Sequence, residues 1–371
     1  MNVLMTADTV GGVFTYALEL AAALGRAGAQ VALATQGRML SPDQWDEARR
    51  ISGLEVFESQ GRLEWMEEPW EDVARAGDWL LELEARLAPD VVHLDEFAHG
   101  ALPFAAPRLV VGHSCVCSWF EAVRGEPPPP SFARYRAEVA RGLRGADLVV
   151  APTRFMLEAL ERHHGPLPRA RVIPNGRSPA RFTPAEKEPF ILCAGRLWDE
   201  AKNARLLDAV AGDLPWPVLL AGEEAHPDAA GAPAPRSRHA RPLGRLRPEA
   251  LANFFRRAAV YALPARYEPF GLSVLEAALA GCALVLGDTP SLRELWSGAA
   301  LFVDPASAEG LAAALRRLAE RPELRARMGA LARERGLTLS PERMASGYLE
   351  AYRALLAGRA ASAPEAASCG W

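Results

Sequence analysis

Two glutamates, Glu268 and Glu276, stand eight positions apart in the otherwise largely apolar stretch "RYEPFGLSVLEAALAG" (266–281). The residues before the first glutamate predict a buried strand, and "LSVLEAALAG" predicts a helix. Between them, "PFG" predicts a turn that brings the first backbone N–H groups of the helix to the carboxyl edge of a sheet. Such donors bind an anion, and Gly271 lets a ligand approach the backbone closely. One carboxylate on each side suits a ligand with phosphate in the middle and hydroxyls at both ends. The structural alternative stays open: Glu268 is then a loop residue, and Glu276 caps the helix or pairs with a neighbour.

A cationic pair, Arg196 and Lys202, lies in "AGRLWDEAKN" (194–203). Arg196 follows a predicted strand, and Lys202 lies at the predicted start of a helix. Converging there, the two cations would neutralise adjacent phosphates and stabilise charge on a leaving group. The alternative is a pair of solvated surface cations. Lys202 and Lys187 are the only lysines among 42 Lys and Arg residues, which favours a chemical role for Lys202.

Other polar residues follow predicted strands of the first half of the chain. Gly11 and Gly12 form a close-approach loop between the first strand and the first helix, but without the full G-x-G-x-x-G spacing. His113 also follows a strand, although a lone histidine is more often structural. Further acceptor contacts are expected from four residues by the end of another strand: His93, Asp95, Glu96 and His99.

The elements that must position these residues alternate along the whole chain. Strands are predicted at 2–6, 30–35, 90–94, 108–112, 147–152 and 171–174, and again at 190–195, 217–222, 259–264, 283–287 and 300–304. Helical stretches separate them, which predicts βαβ units and parallel sheets covered on both faces. A turn-rich polar segment at 175–189 predicts a linker. We therefore expect two doubly wound domains that present their strand ends to a shared cleft.

Composition narrows the class of protein. The chain has 371 residues, a net charge of −4 and 50% hydrophobic residues, which argues against a nucleic-acid binder. It has no run of 18 apolar residues, and the start reads as a strand instead of a signal peptide, so a cytoplasmic protein is expected. Cys115 and Cys117 lie near His113 and could hold a metal, but reduced buried thiols are the favoured interpretation.

Five motifs together match one family: "GGVFTYALELAAAL", "ADLVVAPTRFMLEALE", "VIPNGRSPARF", "AGRLWDEAKN" and "LPARYEPFGLSVLEAALAGCALVLGDTPSLREL". Over nearly its whole length the chain resembles the retaining GT-B glycosyltransferases of family 4. The resemblance implies an α/β fold, GT-B, with two Rossmann-like doubly wound domains facing a central cleft. The expected units are an acceptor-side domain (1–182), a donor domain (183–340), a helix packing back towards the first domain (341–357) and a disordered tail (358–371).

The resemblance also implies a set of catalytic residues. Arg196 and Lys202 look like the pair that grips the donor diphosphate. Glu268 is similar to the glutamate that binds the transferred sugar and the distal phosphate, and His113 matches the histidine beside that sugar.

Further donor contacts are implied by the same motifs. Glu276 is similar to the glutamate that holds the ribose, and Gly11 and Gly12 match the glycine loop near the phosphate and the acceptor. The chain departs from the family at 223–242, where a loop is expected before the nucleobase pocket. The other implied donor-binding residues are Phe270, Gly271, Leu272 and Ser273, with Gly244 and Arg245 at the nucleobase.

The expected activity is retaining transfer of a hexose-type sugar from a UDP-, GDP- or ADP-sugar to a hydroxyl acceptor. Because Arg196 and Lys202 can neutralise the diphosphate, neither a metal nor a cofactor is expected, and the nucleotide sugar is a substrate. The acceptor stays open between a sugar, a lipid-linked sugar and a small molecule, with cell-envelope polysaccharide among the expected products. The segment 119–138 is predicted to form part of an acceptor loop.

Two alternatives remain from the sequence. One is a GT-B phosphorylase or epimerase, and the other is a non-catalytic nucleotide-sugar-binding subunit. A peripheral contact with the inner face of the cell membrane also stays open, whereas no nucleic-acid partner is expected.

Overall fold

The computed structural model describes residues 1–167, 169–223 and 237–362, with side chains described as far as residue 359. The predicted loop at 223–242 and the predicted tail at 358–371 therefore lie partly outside the described residues. Within the described residues, the chain forms two parallel sheets with helices on both faces.

The first sheet has seven strands in the order β3-β2-β1-β4-β5-β6-β7, and all its strand pairs are parallel. Its strands are β1 (Asn2–Asp8), β2 (Gln30–Gln36), β3 (Glu55–Glu58), β4 (Val91–Leu94), β5 (Arg108–Val111), β6 (Leu148–Ala151) and β7 (Ala170–Val172). The helices of this half are α1 (Gly12–Arg26), α2 (Pro42–Arg49), α3 (Trp70–Leu87), α4 (Val116–Arg124), α5 (Ala133–Gly145) and α6 (Arg154–His164).

The second sheet has six strands in the order β10-β9-β8-β11-β12-β13, again with parallel pairs. Its strands are β8 (Glu188–Ala194), β9 (Val218–Ala221), β10 (Arg241–Gly244), β11 (Ala258–Leu263), β12 (Ala283–Gly287) and β13 (Ala300–Val303). The remaining helices are α7 (Ala204–Ala211), α8 (Pro248–Arg257), α9 (Leu272–Leu279), α10 (Pro290–Trp296), α11 (Ala308–Glu320), α12 (Pro322–Leu337) and α13 (Pro341–Ser362).

Two edge strands, β3 and β10, are absent from the sequence prediction. Neither contains a fully buried residue, so neither carries the apolar run by which the inner strands are recognised. The prediction of a loop through residue 242 is wrong at its end, because β10 begins at Arg241.

The last helix, α13, leaves the second domain and packs on the first. Its buried side chains Met344, Tyr348 and Tyr352 belong to the same core as Val3 and Leu20. The helix continues to Ser362, five residues beyond the expected end at 357, so the prediction that disorder begins at 358 is wrong. Residues 363–371 lie outside the described residues.

Candidate active site

A cavity of about 930 Å³ lies between the two domains, at the carboxyl ends of strands from both sheets. This is where open parallel sheets bind ligands. Among the predicted site residues, Gly244 is not part of the lining. The others all line the cavity: Gly11, Gly12, His113, Arg196, Lys202, Arg245, Glu268, Phe270, Gly271, Leu272, Ser273 and Glu276.

We call the part of the lining contributed by 195–202 and 267–276 the second-domain wall. Its centre is the turn between β11 and α9. Gly271 has φ +86°, and a Cβ there would lie 2.9 Å from Val274 Cγ2, so a side chain at this position is both strained and obstructed. The turn is fixed from outside, because Thr153 Oγ1 donates to the Pro269 carbonyl (3.0 Å) and Ser291 Oγ donates to the Glu268 carbonyl (2.6 Å).

This turn delivers the start of α9 to the cavity. The helix begins at Leu272 and its N-cap, Gly271, provides no side-chain cap. The first backbone N–H groups of a helix have no intrahelical partner, and they carry the positive end of the helix dipole. Since Gly271, Leu272 and Ser273 line the cavity, these donors are able to bind an anion at its wall.

Lys202 is directed at the first glutamate of this turn. Its Nζ lies 2.5 Å from Glu268 Oε2, and both side chains are largely buried. The lysine is positioned by Asn203, which adopts a left-handed conformation (φ 57°). The Asn203 side-chain amide donates to the carbonyls of Pro264 (2.9 Å) and Pro305 (2.8 Å), which anchors this bend against β11.

Arg196 faces the glycine loop of the first domain. A Cβ on Gly11 would lie 3.5 Å from Arg196 Nη1, and a Cβ on Gly12 would lie 3.3 Å from Leu272 Cδ1. Arg196 Nη2 bonds Asp199 Oδ2 (3.1 Å). Burial raises the pKa of the Asp199 carboxyl, but Lys202 and Arg196 outweigh it, so that pKa is lowered below its ordinary value. Asp199 is therefore an anion that bonds Arg196 and attracts Lys202.

Glu276 is tied to an arginine. Arg177 Nε donates to Glu276 Oε1 (2.8 Å), and Arg177 Nη1 donates to Glu19 Oε2 on α1 (2.5 Å). Burial raises the pKa of the Glu276 carboxyl above its ordinary value, even with Arg177 beside it. One arginine thus links both domains through two glutamates, and Glu276 still lines the cavity.

The opposite side of the cavity is lined by residues of the first domain. We call the part contributed by 8–16, 64–65, 95–97 and 113–135 the first-domain wall. His113 Nε2 lies 2.7 Å from Asp95 Oδ1, and the ring of Tyr16 meets the His113 ring edge-on at 4.5 Å. Burial raises the pKa of the Asp95 carboxyl, yet His93 and His113 outweigh it and the pKa is lowered. A buried carboxylate therefore orients the imidazole towards the cavity.

Aromatic side chains continue this wall. Trp119 and Phe120 lie 5.2 Å apart, Phe120 and Phe132 lie 5.6 Å apart, and Phe132 and Tyr135 lie 6.3 Å apart between ring centroids. All four line the cavity, together with the acidic residue Glu64. Burial raises the pKa of the Glu64 carboxyl to about 7, against hydrogen bonds from the backbone of Ala98 and Phe97.

The four polar residues expected to contact an acceptor, two within or after β4 and two further on, lie in different places. Asp95 and Glu96 line the cavity, whereas the two histidines are buried in the first domain. His93 bonds Tyr352 Oη (2.6 Å), and His99 bonds the Val73 carbonyl (3.0 Å). The prediction of an acceptor loop at 119–138 is also wrong in form, because α4 and α5 cover both its ends.

The two neighbouring thiols pair with a histidine other than the expected one. Cys115 Sγ lies 3.2 Å from His164 Nε2, and His113 does not take part. Among the described residues, ligand atoms of Cys115, Cys117 and His164 lie within 4.8 Å of one another. The four cysteines that the structure describes are free and buried, as expected.

Several site residues are absent from the sequence prediction. Asp8 ends β1 at the carboxyl edge, so the position after a strand was a signal that could have identified it. Arg177 lies next to the "IPNG" motif. By contrast, Glu64 belongs to neither a helix nor a strand, and Glu19 lies within an ordinary amphipathic helix, so no local pattern indicates either residue.

Two family models match the chain and together span most of it. The model described as "Glycosyl transferase 4-like domain" matches residues 11–176, and the model "Glycosyl transferases group 1" matches residues 176–335. The chain is a GT-B glycosyltransferase of group 1. The sequence prediction of the fold is thereby confirmed, with two Rossmann-like parallel-sheet domains.

Relatives of this glycosyltransferase include two kinds of enzyme. It is 28% identical to the D-inositol 3-phosphate glycosyltransferase of Kineococcus radiotolerans, over 95% of this chain and 92% of that protein. It is 31% identical to a glycogen synthase of Mycobacterium tuberculosis, over 52% of this chain and 50% of that protein.

Solved structures share the fold of the glycosyltransferase at lower identity. Sucrose-phosphate synthase from Thermosynechococcus elongatus superposes with a TM-score of 0.79 at 22% identity, covering 96% of this chain and all (100%) of that chain. Anabaena HepE in complex with UDP-glucose superposes with a TM-score of 0.74 at 16% identity, covering 95% and 100%.

Across residues 1–167, 169–223 and 237–362, no helix of the glycosyltransferase is both long enough and apolar enough to cross a bilayer.

Proposed function

We propose that this glycosyltransferase transfers a hexose-type sugar from a nucleoside diphosphate sugar to a hydroxyl acceptor, with retention of the anomeric configuration. The observation that carries the proposal is the second-domain wall, where Arg196, Lys202 and the start of α9 line one cavity. Three sources of positive charge suit a diphosphate and the charge that develops on it as it leaves.

The rest of the donor is assigned by position. Glu276 accepts hydrogen bonds from the ribose hydroxyls, sharing its carboxylate with Arg177. Glu268 and His113, which line the cavity from different domains, bind the transferred sugar in this proposal. Arg245 and the backbone near Gly244 lie towards the nucleobase. Structures of Anabaena HepE with UDP and UDP-glucose favour a nucleotide sugar of this kind, with UDP, GDP and ADP as the candidates for the nucleotide.

The proposed reaction proceeds on one face of the sugar. The bond between the anomeric carbon and the diphosphate oxygen breaks, and the acceptor oxygen forms its bond to that carbon from the same side. The acceptor proton passes to the departing phosphate oxygen. Lys202 and Arg196 stabilise the negative charge on the diphosphate, while His113, held by Asp95, hydrogen-bonds the transferred sugar.

Neither a metal ion nor a separate cofactor is required in this proposal. The two side-chain cations and the α9 amides supply the charge that a divalent ion would otherwise provide. Adding EDTA to the assay is therefore expected to leave the rate unchanged.

The acceptor is a hydroxyl compound bound at the first-domain wall. The relatives named above are D-inositol 3-phosphate glycosyltransferases and glycogen synthases, so cyclitols and sugars are the classes to test first. Products of this kind belong to glycoside, glycolipid or cell-envelope polysaccharide synthesis. We place the reaction in the cytoplasm, with a peripheral contact at the membrane if the acceptor is lipid-linked.

A two-part experiment tests the proposal. Thermal shifts with UDP, GDP and ADP identify the nucleotide, since a ligand at 100 times its dissociation constant stabilises the folded protein by about 2.7 kcal/mol. The matching nucleotide sugar is then incubated with candidate acceptors, and NMR of the product determines the anomeric configuration. An inverted product would overturn retention.

The other results of this experiment separate the alternatives. Cleavage that depends on inorganic phosphate would identify a phosphorylase, and donor isomerisation without any acceptor would identify an epimerase. Donor binding without transfer or hydrolysis would indicate a non-catalytic subunit. If none of the three nucleotides raised the melting temperature, the assignment of a nucleotide sugar as donor would be overturned.

A further inference from the structure

The first-domain wall contains acidic oxygens that no protein donor satisfies. Glu96 is 6% exposed and lines the cavity, yet its Oε1 has no hydrogen-bond partner. The same holds for Oδ2 of Asp95, whose side chain is fully buried. A buried acceptor without a donor is costly. Such atoms at a cavity wall indicate a ligand that brings hydrogen-bond donors.

The electrostatic surroundings of Glu96 are acidic. Burial raises the pKa of its carboxyl well above the ordinary value, and Glu64, Asp8 and Asp95 raise it further. His99 Nδ1 lies 3.8 Å from Glu96 Oε2, but burial lowers the pKa of that imidazole, so it supplies little positive charge. The described residues thus place carboxyl groups, and no arginine or lysine contact, around Glu96.

Basic side chains line a different part of the cavity. Arg196 and Lys202 are held by Asp199 and Glu268 at the second-domain wall. The others in the described lining are Arg38 and Arg245, which both lie near Glu223, at 3.8 Å and 3.4 Å. Each of the four basic side chains therefore has a carboxylate partner other than Glu64 and Glu96. Arg196 acts on Asp8, but no basic group is among the charges that act on Glu96 itself.

The aromatic residues complete the chemistry of this wall. Sugars and cyclitols present flat faces of C–H groups between their hydroxyls, and aromatic rings bury such faces. The rings of Trp119, Phe120, Phe132 and Tyr135 form a continuous series, while Glu64 and Glu96 provide acceptors.

We propose that the acceptor of this enzyme is an unphosphorylated polyol, a sugar or cyclitol that carries hydroxyl or amino groups, recognised by Glu96 and Glu64 against the aromatic rings. This inference rests on the proposed function, because it names the substrate class of the same site. A phosphate on the acceptor would bring a dianion next to buried carboxyls with no cation to pair with it, which is strongly unfavourable. An ammonium group would be stabilised by the same carboxyls.

The test compares ligands that differ at one position. D-glucose, D-glucosamine and glucose 6-phosphate form one set, and myo-inositol with its monophosphate forms another. Binding is measured by saturation-transfer NMR competition on the full chain, with the nucleotide present and absent. We expect both phosphorylated compounds to bind about 10-fold or more weakly than their unphosphorylated partners. Equal or tighter binding of the phosphorylated compounds would overturn the proposal.

Two variants locate the effect. Glu96→Gln keeps the size of the side chain but cannot ionise beside an ammonium group, so it should reduce the preference for glucosamine over glucose. Glu138→Gln, at a partly exposed position of α5 where the glutamate pairs with Arg141, is the matched control and should bind like the parent. If Glu96→Gln and Glu138→Gln gave the same selectivity as the parent chain, Glu96 would not recognise the acceptor.

Failure of this inference can be told from failure of the proposed function. Nucleotide binding and hydrolysis of the donor by water depend on the second-domain wall and need no acceptor. A chain that hydrolyses donor but prefers phosphorylated polyols keeps the proposed function and loses this inference. A chain that binds unphosphorylated polyols but no nucleotide gives the reverse result.

Discussion

The two walls of the cavity carry opposite kinds of polar group: cations and free N–H donors on one, and carboxyl oxygens without donors on the other. On the second-domain wall, Arg196 and Lys202 are each paired with a carboxylate, and an uncapped helix start lies beside them. On the first-domain wall, Glu96 and Asp95 keep carboxyl oxygens without any donor. The comparison teaches that negative charge is expected to arrive at one wall, and neutral or positive hydrogen-bond donors at the other.

The largest effect is expected from the second-domain wall. Replacing Lys202 with alanine should lower kcat by about 100- to 1,000-fold, because one preorganised positive group is lost where charge develops. The measurement is the steady-state rate of transfer and of donor hydrolysis. Both should fall together, since both break the same bond.

The other lysine provides the control. Lys187 Nζ bonds the carbonyls of Ala280 (2.7 Å) and Arg256 (3.0 Å), away from the cavity lining. Lys187→Ala should reduce thermal stability and leave kcat close to that of the parent. If Lys202→Ala had the same kcat as the parent, Lys202 would not stabilise the leaving group, and the second-domain wall would not have the role proposed for it.

The next effect concerns donor binding without chemistry. Glu276→Gln should raise the KM for the donor by about 10- to 100-fold with a smaller change in kcat, because hydrogen bonds to a charged group are worth about 1.5–3 kcal/mol. Kinetics over a range of donor concentrations separate the two constants.

Glu19→Gln is the matched variant, because Glu19 bonds the same Arg177 but does not line the cavity. Its donor KM should stay within about twofold of the parent, a change worth less than 0.5 kcal/mol. Equal increases in both variants would mean that Glu276 acts only through Arg177 and not on the ribose.

A smaller effect is expected at the first-domain wall. Phe132→Ala should raise the KM for the acceptor by about 2- to 10-fold, as expected for the loss of one aromatic contact. Donor hydrolysis should not change. Phe254→Ala, a half-buried phenylalanine on α8 that packs against Phe190, serves as the control and should alter neither quantity. If Phe132→Ala changed the KM for the donor instead, the assignment of Phe132 to acceptor binding would be wrong.

The smallest effect is a dependence of folding stability on pH that arises from Asp8, at the end of β1. Burial raises the pKa of the Asp8 carboxyl from 3.8 to about 6, mainly against a hydrogen bond from Val10. Because the folded-state pKa is raised, the folded protein holds this proton longer than the unfolded chain. Stability from this group is full below about pH 4 and is lost as pH rises through 6.

Asp8→Asn removes this titration and keeps an oxygen for the Val10 N–H. Its stability relative to the parent should rise between pH 4 and pH 7 by about 1–2 kcal/mol, a reduced figure because the residue is partly exposed. Denaturant titrations at several pH values measure the difference. A constant difference across this range would contradict the raised pKa.

The second-domain wall was largely predictable from the sequence, because it consists of two short stretches. Glu268, Gly271 and Glu276 come from one strand-turn-helix unit, whose geometry follows from local rules. The ion pairs were not predictable in the same way. Lys202 reaches Glu268 across 66 positions of sequence and Arg177 reaches Glu276 across 99, so only the packed fold brings them together.

The first-domain wall was harder because its residues come from many separate segments. His113 could be found from its place after a strand, and so could Asp95 and Glu96. The same rule wrongly included His93, which lies within β4 and points into the core under α13. Glu64 lies outside regular structure, where neither period nor capping gives a signal.

The position of α13 has a mechanical consequence. The chain crosses between the domains twice, and the crossings touch: Arg177 N–H donates to the Leu339 carbonyl (3.1 Å), and a Cβ on Gly176 would lie 2.3 Å from the Ser340 carbonyl oxygen. The two covalent connections thus define one hinge line between the domains. Contacts such as that of Thr153 with the Pro269 carbonyl hold the domains together elsewhere, so rotation about the hinge line requires those contacts to be released. Arg177 lies at this hinge line and bonds Glu276. A donor that binds Glu276 is therefore connected, through Arg177, to the line about which the domains would rotate to close the cavity.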